Sequence, residues 1–234
     1  MMLDLFPEGF EERDVGDVVE LSAYTDGRGE EQLWAAFGGV ERQPFAEDWE
    51  SRWQQFHRPV SVGNLWIGPP WQEPEPGLLA VVIEPGRAFG TGSHPTTRLC
   101  LELLQTVPRG SALDLGCGSG VLAIGAARLG FAPVIAVDSD PLAAEETARN
   151  AAVNEVDVEV HVLDALRAPL PAAETCVANI TSATVDALAP RVRAHRLITS
   201  GYLESELPQL TDYERLERRS NEGWAADLWS RLTQ

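Results

Sequence analysis

Eight residues near the middle of the chain, LDLGCGSG at 113–120, constrain its fold more tightly than any other segment. An apolar run that ends in Asp114-Leu115-Gly116 and breaks into glycines at 116, 118 and 120 reads as a buried strand turning sharply into a helix. About twenty residues on, PVIAVD ends in a second carboxylate, Asp138. From there, strand-like and helix-like segments alternate. A helix over 119–129 precedes PVIAVD, a helix over 141–154 precedes VEVHVLD, and CVANI leads to a helix over 182–194 and then HRLITSGYL. Such alternation predicts an α/β fold with a doubly wound, mostly parallel, Rossmann-like sheet. The tail, YERLERRS and WAADLWSR around the tight turn Asn221–Gly223, closes it with an antiparallel hairpin. Upstream, LLAVVIE at 78–84 reads as a strand, PGRAFGTGSH at 85–94 as a loop, and Pro95 as the first residue of a helix ending near Thr106.

Ligands of a doubly wound sheet bind at the carboxyl ends of its strands, near the point where strand order reverses. Glycines 116, 118 and 120 let the backbone turn and approach a nucleoside without side-chain collision. Asp114 reads either as a brace for that loop or as an acceptor for a ligand ammonium. Asp138 is placed to accept ribose hydroxyls, and Asp164, after the next strand, to receive an adenine amino group. Dinucleotide dehydrogenases prefer GxGxxG with a pyrophosphate on the helix N-terminus. The spacing here is GxGxG with an aspartate two places ahead, which matches enzymes that use S-adenosylmethionine and hold no phosphate.

The first third is less regular. VVELSAY at 18–24 and LWAAFGGV at 33–40 read as short strands of a small N-terminal α/β lobe spanning 1–45. Trp49, Trp53 and Phe56 fall on one helical face, as core packing does, and Pro59 stops that helix. VSVGNLWIG forms a strand pair and PPWQEPEPG a stiff linker, so 46–77 is expected to connect the lobe to a main domain over 78–234.

Composition narrows the partners. The net charge is -18, and before residue 78 carboxylates outnumber arginines roughly three to one. This surface repels phosphate backbones and suits a basic protein partner, although solubility alone would also explain it. All of the Lys+Arg content is arginine, a signature of genomic base composition, so the protein cannot methylate lysine side chains of its own. Cys100, Cys117 and Cys176 lack CxxC spacing and read as buried, reduced residues, with no metal site expected. No apolar run approaches the ~18 residues of a membrane helix, and the start has no basic signal-peptide region, so a cytoplasmic protein without membrane contact is expected.

The segment EPGRAFGTGSHPTT at 84–97, just ahead of DLGCGSGVLAIGAARLG, and followed by VDSDPLA and VANI, resembles the methyltransferases of large-subunit ribosomal protein eleven, the PrmA family. Similarity covers roughly residues 44–204 and extends back to EDWESRW and GPPW. The resemblance implies S-adenosyl-L-methionine as cofactor, with Thr97, Gly116, Asp138 and Asn179 in contact with it. With Asp114, Gly118 and Asp164 from the loop argument, and Phe89, these make the candidate cofactor set. Phe89 would fold over the cofactor, or would be a core phenylalanine under the sheet. His94 reads as a capping or packing residue. Asn179, at the end of the fourth strand, is the candidate catalytic residue, its amide oxygen and nearby carbonyls holding the N–H bonds of an amine in line with the methyl group. The bland alternative is a strand-end turn. Ile180-Thr181-Ser182 comes after it in place of prolines and an aromatic platform, which fits a flexible aliphatic amine.

Two departures stand out. The opening LDLFPEGFEE resembles a segment that in the family comes after an earlier strand and helix, so a shortened, ferredoxin-like docking lobe is expected. The proline-glycine-glycine turn usual before the fifth strand is missing from RVRAHRLITSG. The expected activity is methylation of lysine and N-terminal amines of ribosomal protein eleven by a monomer that makes no direct contact with nucleic acid. Methylation of another protein lysine or a small amine is the alternative within the chemistry. A nicotinamide-binding oxidoreductase or a non-catalytic nucleoside-binding module is the alternative outside it.

Overall fold

The computed structural model describes residues 11–15, 18–22, 33–34, 36–41, 58–85 and 92–232. The chain divides into two compact units, Met1–Arg52 and Trp53–Gln234. Described residues of the first form an antiparallel pair, β1 (Glu11–Val15) and β2 (Val18–Ser22), with Glu11 opposite Ser22. The strand expected at 18–24 is therefore present as β2. The one expected at 33–40 is not: residues 33–34 and 36–37 are helical. Leucine and alanine favour a helical turn over a strand, and Gly38, at φ 76, ends it by donating its N–H to the Trp34 carbonyl at 2.9 Å. The Trp49, Trp53 and Phe56 stripe lies outside the described residues.

In the second unit, β3 (Val60–Val62) and β4 (Leu65–Gly68) form a hairpin, and β4 pairs in parallel with β5 (Leu79–Val82) to complete a three-stranded sheet. This corrects the expected boundary near residue 78. The described part of the supposed linker belongs to the second unit, because Leu65 and Ile67 are fully buried in its core. PPWQEPEPG is the crossover between two paired strands. The hairpin is tied to α1 (Pro95–Thr106) by Gln105, which accepts from the Asn64 N–H at 2.8 Å and donates to the Val62 carbonyl at 3.0 Å.

The principal sheet is as the alternation predicts. Parallel strands β6 (Ala112–Leu115), β7 (Val134–Asp138), β8 (Glu159–Val162), β9 (Thr175–Asn179) and β10 (Arg196–Leu203) are joined by antiparallel β12 (Trp224–Arg231) and β11 (Tyr213–Asn221) in the order β11-β12-β10-β9-β6-β7-β8. Strand order reverses at β6, which has β7 on one side and β9 on the other. Helices α1, α2 (Val121–Arg128) and α3 (Pro141–Val153) share a core with the small sheet through Leu99, Leu103, Ile124, Ala151 and Leu65. Helix α4 (Ser182–Leu188) packs Val185 and Leu188 with Leu113, Leu115 and Trp229 on the opposite face. This helix is shorter than expected, passing into a 3-10 turn at Ala189–Arg191 where Pro190 cannot donate to the helical ladder. The three cysteines are free and buried. Among the described residues, no helix is long and apolar enough to cross a membrane.

One glycine in β10 sets how closely that strand approaches the chain leaving β9. Gly201 has φ +97 at a bulge between Ser200 and Tyr202, and a Cβ there would meet the backbone of Ile180. Gly201→Ala should lower unfolding free energy by about 2–4 kcal/mol in urea titrations, combining left-handed strain with overpacking. A change below about 1 kcal/mol would show that the bulge relaxes freely.

Candidate active site

The end of β6 and the loop after it are shaped by backbone more than by side chains. Gly116, Gly118 and Gly120 take φ values of 74, 56 and 84, a region that side-chain-bearing residues rarely enter. Space forbids substitution as well: a Cβ on Gly116 would lie 2.8 Å from the Ile180 side chain, and one on Gly120 would lie 2.9 Å from Thr147. Thr147, on α3, clamps the loop by donating its hydroxyl to the Gly118 carbonyl at 2.9 Å. Asn150, one turn on, donates to the Ser119 carbonyl at 2.9 Å and accepts from the Glu84 N–H at 3.2 Å. It therefore joins the glycine loop to the start of the 84–97 segment.

Asp114 is almost wholly buried beneath this loop, and its Oδ2 accepts from the Ala123 N–H at 3.0 Å. Gly120, the first residue before α2, offers no side chain, so Asp114 caps that helix from the preceding strand. Its Oδ1 is buried and has no hydrogen-bond partner among the described residues. Burial pushes its pKa up to about 7, opposed by the Ala123 bond and reinforced by the Asp138 charge.

Asp138 ends β7 with both oxygens turned to the loop region. Its Oδ2 accepts from the Gly118 N–H and its Oδ1 from the Asp140 N–H, each at 3.0 Å. Each oxygen keeps a further lone pair for a hydroxyl donor. Val162 stands opposite Asp138 in β8, and the Leu163 N–H donates to the Asp138 carbonyl at 2.7 Å, which brings the following Asp164 to the same end of the sheet. Asp164 is more exposed; its Oδ1 accepts from the Leu166 N–H at 3.0 Å and its Oδ2 lies 3.3 Å from the Arg167 guanidinium. Exposed Leu142, Val162 and Leu166 give this region apolar surface.

The other side of the site comes from α1 and β9. Asn179 pairs in register with Ser200 and donates from Nδ2 to the Thr96 hydroxyl at 3.2 Å. Thr96 lies 2.7 Å from His94 Nδ1. His94 caps α1, accepting from the Thr96 N–H at 3.3 Å, and stacks edge-on against Trp224 with ring centroids 4.9 Å apart. The capping and packing role read for His94 is what the geometry shows. Thr97, next along, has a buried hydroxyl with no hydrogen-bond partner among the described residues. Phe89 lies outside the described residues. A cleft at the opposite, amino ends of the strands is lined by Ser111, Glu174, His195 and Arg231, away from the switch point where such sheets bind ligands.

Residues at the carboxyl ends of three adjacent strands, Asp114, Asp138 and Asn179, thus surround the glycine loop. Thr96, Thr147, Asn150 and Trp224 join them, and the sequence motifs did not single these four out. A signal existed for Thr96, which sits beside Thr97 in the same motif; nothing local marked the others. A buried acceptor at Asp114, a buried hydroxyl at Thr97 and a glycine-rich loop fit a nucleoside that carries a cationic amino-acid tail, as S-adenosylmethionine does.

Asp114 ionises near 3.8 in an unfolded chain and at about 7 in the fold, so its contribution to stability is full below 3.8 and is lost as pH rises towards 7. Asp114→Asn cannot ionise. Relative to the parent, its unfolding free energy should rise between about pH 4 and about pH 7 in urea titrations; a difference independent of pH would show that Asp114 is charged throughout.

The family model described as "Ribosomal protein L11 methyltransferase (PrmA)" matches residues 13–234. Proteins named ribosomal protein L11 methyltransferase are similar over long stretches. That of Photobacterium profundum is 38% identical over 197 residues, 80% of this chain and 67% of the relative. That of Herpetosiphon aurantiacus is 48% identical over 123 residues, 50% of this chain and 38% of the relative. The crystal structure of a ribosomal protein L11 methylase from Lactobacillus delbrueckii subsp. bulgaricus superposes with a TM-score of 0.68 at 25% identity, covering 75% of this chain and 99% of that one. The oxidoreductase reading finds no support in these relatives. With a family model matched over nearly its whole length, the chain belongs to the ribosomal protein L11 methyltransferase (PrmA) family.

Proposed function

We propose that this protein transfers methyl groups from S-adenosyl-L-methionine to lysine side-chain and N-terminal amines of ribosomal protein L11. The observation that carries this reading, beyond family membership, is Asn179 at the end of β9, beside the glycine loop, with its amide anchored by Thr96. The acceptor amine must reach the methyl carbon in line, with its lone pair forward. The Asn179 amide oxygen and neighbouring backbone carbonyls hold the amine N–H groups and aim that lone pair. When bound, S-adenosylmethionine supplies a methyl group on a sulfonium that departs as a neutral thioether. Asp114 and Thr97 receive the cationic amino-acid tail, Asp138 the ribose hydroxyls, and Asp164 the adenine amino group, while Gly116 and Gly118 let the backbone approach. An ammonium group has no lone pair, so the amine must shed its proton on entering the site, and desolvation among buried neighbours favours that loss.

The acceptor is met as a free basic protein. A net charge of -18 repels RNA and attracts cationic surfaces, which suits a protein taken before ribosome assembly, in the cytoplasm and by a monomer. The N-terminal unit, whose first 45 residues carry much of the acidic excess, acts as the docking lobe. A second reading takes another protein lysine or a small amine as acceptor; the match spans about two thirds of the length of relatives such as that of Photobacterium profundum.

Intact-mass spectrometry of unmethylated L11, incubated with this protein and S-adenosylmethionine, should show methyl increments on L11, and the lysine-free sequence removes lysine self-methylation as a background. Small amines that accept methyl groups faster than L11 would favour the second reading. Asp138→Ala should weaken S-adenosylhomocysteine binding by about tenfold to a hundredfold in calorimetry, as loss of charge-assisted hydrogen bonds does. Unchanged affinity would remove Asp138 from the ribose site.

A further inference from the structure

We propose that Thr96 and His94 are positioning residues that decide which end of the Asn179 amide faces the acceptor amine; the inference rests on the function proposed above. One group in this cluster can act in only one way. A backbone N–H can only donate, and the Thr96 N–H points at His94 Nδ1 at 3.3 Å. Nδ1 is therefore an acceptor, and the neutral ring carries its proton on Nε2. The contact of 2.7 Å between the same Nδ1 and Thr96 Oγ1 must then use the hydroxyl's only proton. With that proton committed, Oγ1 can only accept. The group 3.2 Å away on Asn179 must be the Nδ2 end of the amide. Each link fixes the next, and the amide oxygen is left turned away from Thr96, free to accept from an amine.

The surroundings hold this chain of bonds in place. Thr96 is buried, at 1% exposure, so water does not compete for its hydroxyl. Trp224, the first residue of β12, lies edge-on to the His94 ring. The turn before it is pinned to α1 by the Arg98–Glu222 ion pair at 2.6 Å, and Glu222 itself takes φ 52, an uncommon conformation for a side-chain-bearing residue. Burial and the Arg98 charge both hold His94 below the usual histidine range, with Glu222 opposing them, so the ring is neutral when the site is at work. A protonated ring would break the bond from the Thr96 N–H and reverse the two links that follow. Nδ1 would donate, the Thr96 hydroxyl would turn towards Asn179, and the amide would present its N–H groups to the amine, where no N–H could be held.

Two measurements test this. Thr96→Val keeps the shape of the side chain and removes the hydroxyl. Its kcat on ribosomal protein L11 should fall on the order of tenfold to a hundredfold, its affinity for S-adenosylhomocysteine should stay within about twofold of the parent's, and Thr96→Ser should restore kcat. Parent-like turnover in Thr96→Val, or an equal loss in Thr96→Ser, would overturn the proposal. The second measurement needs no turnover and stands even if L11 proves not to be the acceptor. Long-range proton–nitrogen NMR spectra of the parent protein should show His94 as the Nε2–H tautomer, with one Asn179 side-chain proton protected from exchange in the parent and unprotected in Thr96→Val. An Nδ1–H tautomer, or Asn179 protons indifferent to the substitution, would sink the idea whatever the kinetics show.

Discussion

A single buried carboxylate organises the site. Asp114 stands near the end of β6, the middle one of the five parallel strands, and reaches forward to the Ala123 N–H, supplying the cap that Gly120 cannot. This exchange explains why the loop is so poor in side chains. The chain must turn from β6 into α2 through positive φ at three positions, and only glycine does so cheaply. With glycine at three of its five positions, the turn offers backbone to a ligand while its helix start is satisfied from below. The cost is a carboxylate held away from water with one oxygen lacking a partner among the described residues, which is the condition that raises its pKa to about 7.

The loop is also a junction. Asp138 clips it from β7, Thr147 clamps it from α3, and Asn150 ties it to Glu84. Asn154 continues the seam, exchanging hydrogen bonds with the backbone of Val82 on β5 at 2.8 and 2.6 Å. The small three-stranded sheet is thus attached to the glycine loop through one face of one helix. On the other side, α1, β9 and the β11–β12 turn meet through Thr96, Asn179, His94 and Trp224. These positions are far apart in sequence, and only the doubly wound order brings them to one end of the sheet.

Some of this was legible in the sequence, for identifiable reasons. A parallel strand buried on both faces is a short apolar run, and when such runs alternate with helical periods the topology has few solutions. LDLG, PVIAVD and CVANI therefore read correctly, as did the hairpin around Asn221–Gly223. LWAAFGGV misled because five apolar residues in a row carry no period, and helix propensity with a glycine stop decided the outcome. The prolines of PPWQEPEPG suggested a linker. They form instead a crossover, because β5 beyond them pairs with β4 before them, and pairing between distant strands leaves no local mark.

By itself the sequence determined the fold class, the family and the positions of the glycine loop, Asp114, Asp138 and Asn179 at strand ends. Each is a matter of local spacing: periodicity, turn chemistry and a few residues between motifs. Only the tertiary structure decided how these groups are partnered. That Asp114 caps a helix, that His94 and Thr96 stand between Trp224 and Asn179, and that Asn150 spans two loops depend on which faces of separate elements meet. Hydrogen-bond partners contributed by different elements have no fixed separation along the chain, so no motif can encode them, and they exist only once the two cores have closed.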